Sequence, residues 1–306
     1  MRAMVYTQYG PPDVFEVREL PRPTPKAKEV LIKVHAATVT AADWRMRKAE
    51  PFAARLFNGP FGPRRVKILG FELAGEIVEV GRRAERFGPG DEVFGHNDFR
   101  FGAYAEYVCV PAGRMLATKR ANVTWEEAAA VPFGGLAALN LLRKGGIASG
   151  QKVLVHGASG STGTFAVQLA KHFGAEVTGV CSGANQDLVL SLGADRVIDY
   201  AREDFLATGE RYDLILDAIG KMISGHTQGD FRNSLAPGGE YVSVEMERKD
   251  RPEDLAFLGE LLAAGKLKTV IDRVYPLEEL AEAHRYVEGG HKKGNVVITV
   301  AHHRKP

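Results

Sequence analysis

The sequence predicts an α/β chain in two parts: a β-rich unit built as a small barrel, then a doubly wound parallel sheet. Three observations predict it. Residues 1 to about 120 hold short runs rich in Val, Ile, Tyr and Phe, cut by Gly and Pro. Near Thr124 the period changes, and strands then alternate with helices. A glycine-rich turn at 157–163 joins one of those strands to a helix.

In the first part the strand candidates are Arg2–Thr7, Val14–Glu19, Glu29–Thr38, Gly75–Val80, Asp91–Phe94 and Ala103–Val110. Pro21, Pro23 and Pro25 form an extended spacer, because proline cannot continue a helix. Thr124 and Glu127 have capping-box spacing ahead of the alanines 128–130. Lys152–His156, Glu176–Cys181, Arg196–Tyr200, Asp213–Ala218 and Glu240–Val244 then read as strands, with Gly163–Phe173, Gln186–Gly193 and Asp230–Leu235 among the helical or turn segments. After Lys266 come a strand (Thr269–Arg273), a helix (Leu277–Glu288) and a strand (Asn295–Val300). The expected division is residues 1–122 with 267–306 for the β-rich unit and 123–266 for the Rossmann-type unit.

Composition narrows the classes of partner. Hydrophobic residues make up 45% and charged residues 25%, ordinary globular usage. Lys and Arg number 40 against 38 Asp and Glu, which gives no reason to expect a nucleic-acid or anionic-membrane surface. The two cysteines, Cys109 and Cys181, make neither a disulfide framework nor a four-cysteine zinc lobe and suit a reducing, cytoplasmic compartment. The N-terminus alternates like a strand rather than reading as a signal peptide, and the longest uncharged stretch, Ala128–Leu142, is too short to span a bilayer.

The turn Gly157-Ala-Ser159-Gly160-Ser161-Thr162-Gly163 carries the chemistry. Small residues let the backbone turn tightly and approach a diphosphate, whose charge sits on the N–H groups opening the next helix. An NAD site usually ends its second strand in Asp or Glu, which binds the ribose hydroxyls. Here that strand ends in Cys181-Ser182-Gly183-Ala184-Asn185. Ser182 and Asn185 are donors for a 2′-phosphate, with Tyr200 in reach, so NADPH is expected over NADH; the alternative for Asn185 is a plain helix cap. Ala218 and Gly220, after the fourth strand, complete the expected cofactor set.

These features together resemble the medium-chain dehydrogenase/reductase superfamily, and within it the zinc-free quinone oxidoreductase branch. The resemblance rests on VLIKVHAATVTAADW (30–44), ILGFELAGEIVEVG (68–81), GPGDEVFG (88–95), HGASGSTGTFAVQLAKHFGAEVTGVCS (156–182), LGADRVIDY (192–200), YDLILDAIG (212–220) and KKGNVVITV (292–300). It implies a GroES-like barrel followed by a Rossmann-type domain. Zinc-using relatives carry Cys where Thr40 stands, His where Phe71 stands, and a third ligand around 131–135, where this chain has VPFGG. The residues present supply no such N/S donors, and the Cys-rich insert of the structural zinc site is also missing, so no metal is expected. The nine histidines, including the terminal pair His302-His303, read as surface or core residues.

A site without zinc suits an acceptor that is already activated. The resemblance therefore implies an NADPH-dependent reductase of quinones or α,β-unsaturated carbonyls. The alternatives are a dinucleotide-binding protein of crystallin type with little catalysis, and a zinc-type alcohol dehydrogenase. By resemblance Thr40, Asp43 and Trp44 are the candidate catalytic residues. Thr40 is read as a hydrogen-bond donor, Trp44 as a stacking platform, and Asp43 as an acid/base group or a partner of Arg45 or Arg47. Phe71 and Phe133 are expected in the substrate pocket, with His96 and Tyr104 as further donor candidates. Expected partners are a small electrophile, with no nucleic acid and no membrane. The segment EMERKDRP (245–252) leaves no room for the sixth strand through which relatives dimerise. A five-stranded sheet, and a monomer or an atypical homodimer, are expected; the alternative is that EMERKD (245–250) pairs as a short edge strand and the usual dimer persists.

Overall fold

The computed structural model describes residues 1–302; His303, half of the terminal histidine pair, lies outside them. Along the chain the strands are β1 (Arg2–Tyr6), β2 (Phe15–Glu19), β3 (Glu29–Thr38), β4 (Glu72–Val80), β5 (Glu92–His96), β6 (Tyr107–Pro111), β7 (Leu116–Thr118), β8 (Lys152–His156), β9 (Glu176–Cys181), β10 (Arg196–Asp199), β11 (Tyr212–Asp217), β12 (Leu235–Ser243), β13 (Ile271–Pro276) and β14 (Asn295–Thr299). The chain divides into two compact units: one of Met1–Phe133, Leu255–Glu260 and everything from Ile271 onward, the other of Gly134–Asp254 and Leu261–Val270.

The first unit is built on β3. Its Val30, Leu31, Ile32, Val34, Ala36 and Ala37 are fully buried, so apolar residues on both faces of this central strand are covered. β3 pairs antiparallel with β4, β6 and β14, within a seven-stranded sheet ordered β13-β14-β3-β4-β5-β7 with β6 attached to β3. β1 and β2 form a separate antiparallel pair. One core gathers Ile32, Leu69, Leu73, Ile77, Val296 and Ile298. The helix Trp125–Ala129 belongs to this unit because it packs on β3, β4 and β14. The division therefore falls after Phe133 rather than after Asn122.

In the second unit the five strands run in the order β10-β9-β8-β11-β12, every neighbouring pair parallel. Leu154, Val180, Ile198 and Ile215 fill its core. β12 starts at Leu235, pairs there with Tyr212, and resumes at Glu240 with Leu214 after an irregularity that absorbs Pro237, Gly238 and Gly239. The segment expected as helical or turn over Asp230–Leu235 is the end of a short helix (Gln228–Phe231) and a tight turn (Arg232–Ser234), with Leu235 already in β12. Residues 245–250 add no strand beyond β12. Among the described residues no helix is long and apolar enough to cross a membrane.

Candidate functional site

In the second unit β8 ends at His156 and the chain turns through Gly157 at φ +79°. A Cβ at Gly157 would stand 2.4 Å from the Ile219 side chain, and one at Gly163 would stand 2.1 Å from the Gly157 carbonyl. Both contacts are impossible, so these two glycines are demanded by the turn and by close helix packing. Gly160 differs. A Cβ there meets nothing nearer than 3.4 Å, so the fold does not require glycine and leaves the space in front of the helix Ser161–His172 clear. The first N–H groups of a helix have no acceptor inside it. A diphosphate fits this cradle.

Asn185 closes the other side. Its amide donates to the Ser159 hydroxyl in the turn and to the Ser182 hydroxyl past β9, both at 3.1 Å. It makes no side-chain cap to its own helix (Gln186–Ser191), which corrects the helix-cap reading. Because Asn185 donates to both oxygens, the protons of Ser159 and Ser182 are left to point elsewhere. Tyr200 is 57% exposed beyond β10, and its N–H donates to Cys181. The structure also places a carboxylate at this tip that sequence reading missed. Asp199 pairs with Cys181, and its Oδ2 would lie 2.5 Å from a Cβ on Gly183.

Ala218 donates its N–H to His156, and the turn after it is held by Asp217. The Asp217 carboxylate accepts from the Ile219 and Gly220 N–H groups at 3.1 Å and from the Tyr241 hydroxyl at 3.0 Å, and pairs with His156 Nδ1 at 3.0 Å. Burial pushes its pKa upward, but the bonds from His156, Gly220 and Ile219 prevail and hold it below the ordinary carboxylate range. This network was missed as well. Its signal is a histidine directly before Gly157 and an aspartate in LILDAIG. The Glu245 carboxylate lies against Gly220.

In the first unit Thr40 is the N-cap of a helix (Ala41–Lys48) whose third residue is Asp43. Thr40 donates its N–H (2.8 Å) and its hydroxyl (2.6 Å) to Asp43 Oδ2, and Gly70 donates its N–H to Oδ1 at 2.9 Å. Asp43 is fully buried, and burial pushes its carboxyl up to about 6 against those hydrogen bonds. Neither the acid/base reading nor the pairing with Arg45 or Arg47 describes it: Asp43 is a buried clamp between a helix start and residue 70. The Thr40 proton is committed to that clamp and is not presented to an acceptor. Trp44 is partly buried against the core, with Arg45 and Lys48 cations 5.4 and 5.5 Å from its ring.

Phe71 and Phe133 do come together, edge to face at 5.8 Å, and Phe71 also stacks on His96 at 4.7 Å. Glu72 lies beneath them, fully buried, accepting from the Thr38 hydroxyl and the Phe133 N–H. Burial raises its carboxyl to about 8. Tyr104 spends its hydroxyl on the Thr38 carbonyl at 2.9 Å, which removes it as a donor to a substrate. Zinc does not fit this place: Phe71 has no donor atom and the Thr40 hydroxyl is engaged. Among the described residues no group of three or more His, Cys, Asp or Glu is arranged to hold a metal ion.

Comparison with known proteins agrees with this architecture. Residues 26–120 match the family described as alcohol dehydrogenase GroES-like domain, and residues 192–250 and 245–298 match that described as zinc-binding dehydrogenase. The chain is 33% identical over 320 residues to 2-methylene-furan-3-one reductase of Solanum lycopersicum, covering 97% of this chain and 79% of that protein. It is 30% identical over 333 residues to the chloroplast envelope quinone oxidoreductase homolog of Arabidopsis thaliana, covering 97% and 98%. The structure of the quinone oxidoreductase from Coxiella burnetii superposes with a TM-score of 0.85 at 29% identity, covering 98% and 99%. The chain belongs to the medium-chain dehydrogenase/reductase superfamily and is an oxidoreductase of its quinone oxidoreductase branch.

Proposed function

We propose that the protein reduces a quinone or an α,β-unsaturated carbonyl with NADPH and without a metal. The observation that carries the proposal is the cradle at Gly160, which the fold leaves clear while Gly157 and Gly163 are sterically obligatory. When bound, NADPH supplies hydride to the electron-poor carbon or quinone ring and leaves as NADP⁺, and water supplies the proton taken up by the acceptor. The chain's own residues do the positioning. Gly157, Ser159, Gly160, Ser161, Thr162 and Gly163 hold the diphosphate by backbone N–H and hydroxyl donors. Ser182, with Asn185 behind it and Tyr200 beside it, receives the 2′-phosphate. Ala218, held by the His156 carbonyl, and Gly220, held by Asp217, border the nicotinamide end. Phe71 and Phe133 give the acceptor an apolar wall, and Trp44 a flat face.

A second reading has an observation in its favour. Asp199 beside Gly183 is a carboxylate near the ribose position, which favours NADH. Titration of NADPH and NADH by their fluorescence, followed by turnover on a panel of enones, quinones and aldehydes, separates the readings. Tighter NADPH binding with turnover of enones or quinones supports the proposal; tighter NADH binding, or no turnover of any acceptor, overturns it. We further propose a cytoplasmic protein, supported by its two free cysteines, whose thiols burial raises to about 11. The proposed state is a monomer, or a dimer formed away from β12, because residues 245–250 offer no pairing strand there.

A further inference from the structure

Residues 50–67 present an apolar surface that their own unit does not cover. Phe52 is 69%, Leu56 79% and Phe61 91% exposed, and Phe99, whose ring lies 6.3 Å from Phe57, is 66% exposed. Isolated exposed apolar residues are common, but four large ones on one short arm and its neighbour mark a contact surface.

The arm is held in place from below. Asn58 is 1% exposed; its amide donates to the Tyr6 hydroxyl (2.7 Å) and the Val66 carbonyl (3.2 Å) and accepts from the N–H groups of Arg65 (3.1 Å) and Val66 (2.7 Å). Tyr9 closes the loop by donating to the Gly59 carbonyl at 2.8 Å. Asn58, Pro63 and Val66 fill the inner side, so Leu56 and Phe61 have no route to the core.

Charge selects the occupant. Residues 50–67 contain four Lys or Arg (Arg55, Arg64, Arg65 and Lys67) and one acid, Glu50, in a chain whose net charge is +2. Arg64, Arg65 and Lys67 are exposed, and guanidinium groups lie over the apolar rings, Arg65 at 4.4 Å from Phe57 and Arg55 at 5.5 Å from Phe52. Rings tipped with cations suit the boundary between lipid headgroups and acyl chains. A second copy of the chain does not suit it, because a symmetric contact would set these cations against themselves.

We propose that the 50–67 arm docks the protein on an anionic lipid surface, with Phe52, Leu56 and Phe61 entering the headgroup boundary and Arg64, Arg65 and Lys67 meeting lipid phosphates. The whole-chain charge balance conceals this local excess, and the proposal departs from the expectation of no anionic-membrane surface.

The test is flotation of the full chain with vesicles of phosphatidylcholine alone and with about a quarter phosphatidylglycerol. The expected result is binding to the anionic vesicles only, weakened by salt. R64Q/R65Q should bind about thirtyfold more weakly, and L56S/F61S should lose binding at moderate salt. All four positions lie on the surface, and an unchanged melting temperature and dinucleotide titration check that both variants are folded. Absence of binding to anionic vesicles, equal binding to neutral ones, or undiminished binding by either double variant would overturn the proposal. So would a concentration-dependent dimer, seen by light scattering and abolished by L56S/F61S.

Discussion

Replacing Ser182 by Asp tests the cofactor site at its most selective atom. The Ser182 hydroxyl oxygen lies 3.1 Å from the Asn185 amide, on the same amide that holds Ser159. An Asp carboxylate at this position keeps the Asn185 bond and adds one negative charge. The 2′-phosphate brings nearly two. At a half-exposed tip, between the fully screened and interior limits, their repulsion is worth about 2 kcal/mol, a loss of NADPH affinity of roughly thirtyfold. NADH gains a charged acceptor for its ribose hydroxyls, worth about 1 kcal/mol. The NADPH-to-NADH affinity ratio should therefore fall by roughly a hundredfold. Fluorescence titration of both nucleotides measures it, and raising the ionic strength about tenfold should restore part of the lost NADPH affinity. A ratio unchanged within about threefold, or tighter NADPH binding, would refute the reasoning.

Gly160→Ala should leave the melting temperature within about 2 °C and weaken dinucleotide binding about tenfold, whereas Gly163→Ala, whose Cβ would meet the Gly157 carbonyl at 2.1 Å, should lower the melting temperature markedly; calorimetry with titration separates them, and equal melting losses would contradict the assignment. Glu72→Gln should flatten the pH dependence of stability. Below about 4.5 the carboxyl is protonated in both states and its contribution is full; as pH rises the unfolded chain releases its proton first, and stability is lost up to the folded value of about 8, on the order of 5 kcal/mol at most. The nearby Lys292 amine, which burial lowers to about 8, reduces that loss; urea unfolding of both proteins at acidic and mildly alkaline pH should show the variant gaining relative stability, and a constant difference would contradict the burial argument. Turnover should survive prolonged chelation, because Phe71 has no ligand atom and the Thr40 hydroxyl is engaged by Asp43; stoichiometric zinc together with lost turnover would contradict this.

The parallel sheet was legible because its strands are short, apolar and punctuated. Lys152–His156 and Glu176–Cys181 stand where the pattern puts them, and β3 is fixed by its buried Val and Ile. The helix Ala41–Lys48 was illegible because the residues it buries are Asp43, Met46 and Arg47, two of them charged. Arg47 is fully buried and pairs with Glu288, a partner far along the chain that no local pattern announces. β7, only Leu116–Thr118, is too short to show a period. The glycine turn was readable from its spacing between a strand and a helix, since two of its glycines answer steric needs a few residues apart. What lies across the strand tips was not: Asn185 reaching Ser159, Asp199 lying against Gly183, and Asp217 binding His156 all depend on parallel neighbours far apart in sequence. Thr40 and Asp43 were read as groups facing a substrate, whereas their hydrogen bonds run to each other and to Gly70, a capping pattern that the short spacing from 40 to 43 also allows.

The most direct test of the central claim follows the hydride. The protein is given NADPH carrying deuterium at both C4 positions and an enone, in chelator, and the product is examined by mass spectrometry and NMR. The account predicts one deuterium at the β-carbon, a proton from solvent at the α-carbon, and one NADPH consumed per product. Reduction that proceeds without deuterium transfer, or activity confined to alcohols and restored by zinc, would contradict it.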